Sequence, residues 1–216
     1  GFISKKLKNY LINKNYNVFS TTRVKNKEFY FDLKNELSAV YKIPKFDILI
    51  HLSYIRNRSL KEEHRYNING TKNIFLLAKK YNAKIIYISS QSANQKSNSN
   101  YGKIKYEIEK IALQFNATII RPGLIYEKNS RNGLYGSIER LIKYMPFLIV
   151  PNGLNKKINL CNIDKFNESI NTILINKNYP FEINLFEKEN YNLIDLVNYI
   201  SKINNKKIKI LLINYK

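Results

Sequence analysis

The chain has no tryptophan, one cysteine (Cys161), one methionine (Met145) and two histidines, His51 and His64. A lone cysteine excludes an internal disulfide and offers no metal-ligand spacing, which points to a reducing, cytoplasmic setting. Two separated histidines and one cysteine do not make a zinc site, so no metal is expected. No apolar run approaches the roughly 18 residues of a membrane span, and no membrane partner is expected. No Pro/Gly/Ser-rich linker and no internal repeat divides the chain. Acidic residues are scarce: 16 against 37 Lys and Arg, for a formal net charge of +21. Such an excess suits a nucleic-acid partner or an anionic substrate. The lysines are scattered through a sequence saturated with Lys, Asn, Ile and Tyr. A diffuse excess favours a compositional origin over a nucleic-acid interface.

What is present is a chain of 216 residues that is 44% hydrophobic, enough for one core and too short to require two full domains. Residues from Gly1 read as an amphipathic helix with Leu7, Leu11 and Ile12 on one face, followed by a short strand at 18–21. EFYFDL, ending at Asp32 and Leu33, reads as a second strand. FDILIHLS (46–53), KIIYISS (84–90) and ATIIRPG (117–123) are near-continuous apolar runs, the mark of strands buried on both faces of a parallel sheet. Between them, 62–81 and 101–115 carry helical periodicity, with Ile68, Ile74, Phe75, Leu77, Ala78 and Tyr81 on the buried side of the first. This alternation predicts an α/β, doubly wound parallel sheet over 1–121. A smaller α/β lobe is expected over 122–216, with helices at 134–145, 164–176 and 193–203 and strands at 181–186 and 207–213.

Tyr101 and Lys105 form a Tyr-x-x-x-Lys pair at the start of a helix, and their i, i+4 spacing puts both on one face. An ammonium near a phenol lowers the phenol's pKa and makes tyrosine a usable acid and base. Ser89 and Ser90 end the preceding strand, where open α/β sheets place their ligands. A serine there reaches the substrate oxygen that Tyr101 serves.

In this order the motifs resemble the extended short-chain dehydrogenase/reductase family, the NAD-dependent epimerase/dehydratase group acting on nucleotide sugars. GFIS is similar to the second half of its Gly-rich loop, FDILIHLS to its Asp-x-x-x-His-Leu-Ala motif and NINGTKNIFLLAKK to its Asn-x-x-Gly-Thr-x-Asn helix. YISSQSA with YGKIK resembles its Ser and Tyr-x-x-x-Lys pair, and IIRPGLIY its Arg-Pro-Gly stretch. The resemblance implies a Rossmann-like fold, an NAD or NADP cofactor, a nucleotide-sugar substrate and a homodimer. It also implies that Gly1, Phe2 and Ile3 belong to a pyrophosphate loop whose first strand and first glycine are absent. The chain is thus expected to be part of a longer polypeptide, truncated within that loop.

By the same resemblance, Ser90, Tyr101 and Lys105 are catalytic, with Ser89 and Ser92 as alternatives for the serine, and Tyr101 and Lys105 also contact the cofactor, Lys105 holding the nicotinamide ribose. Asp32 and Leu33 would lie beside the adenine, His51, Leu52 and Ser53 would line the cofactor groove, and Asn67 would brace the site. Pro122 would border the cofactor. Arg23 stands where an acidic residue would bind the ribose of NAD, which favours pairing with the 2′-phosphate of NADP. Each has a plainer reading: a solvated Arg23, a turn or cap for Asp32, a core His51, a helix cap for Asn67. Tyr54 replaces a small residue, and Asp164 reads as a helix cap. Gln91 and Ser92 replace the acidic pair of the sugar dehydratases, which disfavours dehydration. A 4-epimerase or a 4-keto reductase remains, then a relative acting on another small carbonyl. The alternative is a non-catalytic Rossmann-like module binding nucleic acid or a protein.

Overall fold

Glycine is scarce in this chain, with seven residues, and asparagine does much of its work at helix ends. Asn15, Asn82, Asn116 and Asn205 adopt left-handed φ values of 63°, 55°, 53° and 50°. They follow helices α1 (Phe2–Asn13), α2 (Leu60–Lys80), α3 (Asn100–Gln114) and α6 (Leu193–Ile203). Asparagine tolerates this conformation because its short amide bonds locally, so it closes a helix as glycine would. The N-termini are capped as deliberately. Ser59 opens α2, Ser99 opens α3, and Asn192 with Asp195 forms a capping box on α6.

The computed structural model describes residues 1–24, 29–34, 43–128, 133–151, 157–176 and 180–214. Two compact units are present. The first comprises Leu7–Pro122 with Asn171–Asn184, and the second comprises Gly1–Lys6, Gly123–Ile170 and Leu185–Lys216. The sequence predicts a single division, at 121/122. The later part is not one contiguous lobe, however, because 171–184 returns to the first unit.

In the first unit a sheet runs in the order β1 (Ile48–His51), β2 (Lys84–Ile88), β3 (Thr118–Pro122), β7 (Glu182–Leu185). β1–β2 and β2–β3 are parallel, with Leu49 opposite Ile85 and Tyr87 opposite Ile119. Ile85 and Tyr87 face α2 and α3 in a core with Phe75, Leu77, Ile104 and Ile108. Ile86 and Ile88, on the opposite pleat, are buried too. Burial of both faces is why these strands read as continuous apolar runs. The second unit contains the sheet β4 (Leu124–Tyr126), β6 (Ile158–Asn162), β8 (Asn190–Tyr191) and a parallel pair, β5 (Phe147–Pro151) with β9 (Lys209–Ile213). Its core joins Tyr126, Tyr135, Ile138, Ile142, Leu160, Leu196 and Ile200 from these strands, α4 (Gly133–Tyr144) and α6.

Several expectations fail locally. Residues 18–21 form no strand, and only the parallel bridge Thr22–Tyr30 stands in the region of the second expected strand. β1 keeps a free edge, and no ladder hydrogen bond joins 18–21 to it among the described residues. Glu28, the first residue of EFYFDL, lies outside the described residues. Ile12 is exposed, because the α1 stripe closes at Leu7 and Leu11. Asp164 is not the cap of α5 (Ile163–Ile175): the side chain of Asn162 accepts from the N–H groups of Asp164 (2.8 Å) and Lys165 (3.4 Å).

Candidate active site

Tyr101 and Lys105 lie on the first turns of α3, which Ser99 starts by accepting the Gly102 N–H at 3.0 Å. Gly102 is required there. A Cβ at this position would stand 2.3 Å from the Ser92 carbonyl and 2.1 Å from Ser97 Oγ. The missing side chain lets the 91–99 loop close onto the helix beside Tyr101.

Lys105 is buried, 2% exposed, and its ammonium donates to the Ile88 carbonyl at 2.8 Å. It sits among three phenol rings, 4.7 Å from the centroid of Tyr87, 5.7 Å from Tyr54 and 5.9 Å from Tyr101. Burial lowers its pKa to about 7, against an upward pull from Glu109. The Tyr101 phenol is raised above its ordinary value by burial, partly offset by a hydrogen bond with Ser90 and by the charge of Arg56. The net shift is upward, because burial outweighs these effects, where the Tyr-x-x-x-Lys spacing predicts a lowered phenol.

Ser90 is the serine that meets Tyr101. Its hydroxyl also pairs with Ser92 Oγ at 2.9 Å and accepts the Ser92 N–H at 3.2 Å. Ser89 is buried and its N–H continues the ladder to the Ile120 carbonyl at 2.7 Å. Strand alternation separates the two side chains. Gln91 donates to the Arg121 carbonyl at 2.7 Å and to Asn184 at 3.0 Å, which commits its amide to structure.

The loop after β1 supplies residues that spacing did not reveal. Tyr54 packs edge-on to Tyr101, centroids 4.7 Å apart, and donates to Glu63 at 2.6 Å. Burial and that carboxylate push the Tyr54 phenol far up. The other Glu63 oxygen accepts the Asn57 N–H at 2.8 Å. Burial pulls the Glu63 carboxyl up, but the bonds from Asn57 and Tyr54 and the charge of Arg56 win and hold it below the usual carboxylate range. Asn67, fully buried in the interior of α2, bonds both backbone groups of Ile55, accepting at 2.9 Å and donating at 2.8 Å. It therefore replaces a strand partner for the loop, and it is not a helix cap. Arg56 lies on this braced segment, its guanidinium carbon 5.3 Å from the Tyr101 ring centroid.

Behind Tyr101, Arg121 makes a two-pronged bond to buried Glu109 at 2.7 Å on each arm and reaches Glu182 at 2.9 Å. The pair ties α3 to β3 and β7 and raises the arginine further. Tyr101, Lys105 and Glu109 recur every four residues on one helical face, a spacing that the sequence analysis did not extend to Glu109.

The residues expected at a dinucleotide divide. The imidazole of His51 is 3% exposed, bonded to Thr71 Oγ1 at 3.0 Å and stacked on Tyr87. Burial, then the charge of Lys105, lowers its pKa to about 3. It is a neutral core group, so its side chain does not line a groove. Leu33 is buried beneath Gly70, where a Cβ would stand 2.4 Å from the Leu33 carbonyl. Asp32 accepts the Lys34 N–H at 3.0 Å, a turn aspartate. Asn67 and Pro122 are buried, Leu52 is half-buried, and Arg23 and Ser53 are exposed. α1 begins at Phe2 with no acidic residue in its first turn, so the N–H groups around Phe2 and Ile3 present positive charge. Arg23 has no ion-pair partner among the described residues. Among the described residues no cluster of His, Cys, Asp or Glu is placed to hold a metal ion.

No family model and no curated protein matches this sequence. Solved structures match along essentially all of it. UDP-glucose 4-epimerase from Thermotoga maritima, crystallised with UDP-glucose, is 15% identical with a TM-score of 0.80, covering 100% of this chain and 84% of that one. The dTDP-4-dehydrorhamnose reductase of Bacillus anthracis, in complex with NADP, is 18% identical with a TM-score of 0.79, covering 99% and 81%. UDP-glucuronic acid 4-epimerase from Bacillus cereus, in complex with NAD, is 19% identical with a TM-score of 0.78, covering 98% and 82%. The chain shares the Rossmann-like fold of these structures, the fold that the resemblance of its motifs implies.

Proposed function

We propose that the protein is an NAD(P)-dependent enzyme that reduces or epimerises the C4 position of a nucleotide sugar. The observation that carries this reading is the convergence of the Ser90 hydroxyl, the Tyr101 phenol and the Lys105 ammonium at the C-terminal end of β2. That end of an open α/β sheet is where such folds place their ligands. Ser90 orients the sugar C4 oxygen, and Tyr101 gives or takes its proton. Lys105 lies beside Tyr101 and anchors α3 to β2 through Ile88. Nicotinamide, when bound, supplies or accepts hydride at the carbon bearing that oxygen. Dehydration is disfavoured because Gln91 is an amide committed to Arg121 and Asn184. Exposed Arg23 supports a 2′-phosphate partner and hence NADP and the reductase.

The test is Tyr101→Phe, assayed by absorbance of the reduced cofactor with sugar nucleotides as substrates. Turnover should fall by about 100-fold or more while cofactor affinity stays the same. Unchanged turnover contradicts the reading. So does salt-steep binding of nucleic acid with no response to the substitution, which is the behaviour of a binding module.

A further inference from the structure

The β5–β9 pair of the second unit is covered on one face and bare on the other. Leu148 and Ile210 pack on the core of that unit, and Val150 is buried. Phe147, Ile149, Leu211 and Ile213 stand on the other pleat and are exposed, Ile149 by 56% and Ile213 by 45%. An antiparallel or parallel pair with one wet face is expected to turn polar residues outward, and this one turns apolar residues both ways. Tyr144 and Met145, just before β5, add two more exposed apolar side chains. A patch of this kind marks a contact surface.

The charges around it have one sign. The pairing of β5 with β9 joins two stretches of chain, 140–163 and 196–216, that hold nine basic residues, while all 16 acidic residues lie elsewhere in the sequence. Lys209 stands in register with Phe147, Lys206 donates to the Lys143 carbonyl, and exposed Lys202 and Lys207 lie at the end of α6 and just beyond it. Among the described residues none of these five lysines has a carboxylate partner. Glu139, on α4, is buried and accepts from Asn204.

We propose that this face docks the protein on an anionic lipid bilayer, its apolar side chains entering the headgroup boundary and its lysines lying at the lipid phosphates. The lack of a spanning run predicts no membrane partner, but a surface contact needs no span. Charge selects the occupant. A second copy would set lysines against lysines. A nucleic acid would meet the lysines and leave the aliphatic side chains uncovered. At a bilayer surface both are used, since each cation adds attraction and each apolar group adds burial. None of these residues belongs to the catalytic set, so the docking is independent of the proposed reaction.

The test is sedimentation of the 216-residue chain with vesicles of phosphatidylcholine alone and with about 30% phosphatidylserine. Binding should be at least about tenfold tighter to the anionic vesicles and should weaken with salt. Because the whole chain is basic, a charge-matched control decides. Lys207→Glu with Lys209→Glu should cost about tenfold or more, and Lys72→Glu with Lys79→Glu, on α2, much less. The chain lacks tryptophan, so Ile149→Trp is a lone reporter. Its emission should shift to the blue on anionic vesicles and be quenched by lipids brominated on the acyl chain. Equal losses in the two pairs of variants overturn the proposal, since attraction is then diffuse. Emission unmoved by vesicles overturns it too. So does emission that is blue-shifted without vesicles and follows protein concentration, which gives the face to a second copy.

Discussion

Lys105 shows how far a single residue departs from what its own stability favours. Its ammonium is buried among three rings with one carbonyl as partner, and its folded pKa has fallen to about 7 from an unfolded value near 10.5. A group depressed in this way contributes stability above its unfolded pKa and loses it as pH falls through the folded one. The folded protein therefore loses stability between about pH 10.5 and 7 as the unfolded chain takes up a proton that the folded chain resists. Replacing Lys105 by Met should flatten that slope in urea denaturation and leave the protein at least as stable at pH 7. Turnover should drop by about 100-fold or more. A variant that unfolds while showing the parent's pH slope would contradict this. Ser90, Tyr101 and Lys105 were legible in the sequence because strand end and helix period fix them locally. Arg56, Tyr54 and Glu63 were not, because a loop carries two of them to the site and no period governs a loop.

At the scale of elements, α3 is fixed by what is missing and what is charged. Gly102 lets the 91–99 loop close, and Arg121 joins Glu109 to Glu182 so that helix and sheet move together. Removing the arginine strands a buried carboxylate. Arg121→Met should therefore destabilise the protein by about 3 kcal/mol in chemical denaturation, and adding Glu109→Leu should recover much of that loss. Equal destabilisation by the double variant would mean that the pair does not act as a unit. The long helices and the doubly buried strands were plain from periodicity. The strand expected at 18–21 was not formed, since a ladder needs a neighbour and propensity alone does not supply one. The short strands 124–126, 147–151 and 190–191 went unread for the same reason: each exists by its pairing, which spans up to about sixty residues of chain.

For the molecule as a whole, the net charge of +21 describes the surface more than the site. Glu63, Glu109 and Glu139 are among the few acids and are buried, so the exterior is more basic than the composition alone implies. Such a surface draws anions of many kinds, which makes selective recognition of a dinucleotide the decisive question. The most direct measurement is a fluorescence titration of this 216-residue chain with NADPH and with NADH at several salt concentrations. Saturable binding that survives moderate salt is predicted, with NADPH preferred and the preference reduced by Arg23→Ala. Failure of both nucleotides to bind, or binding of both that fades together with salt, would contradict a nicotinamide-dependent function for this fold.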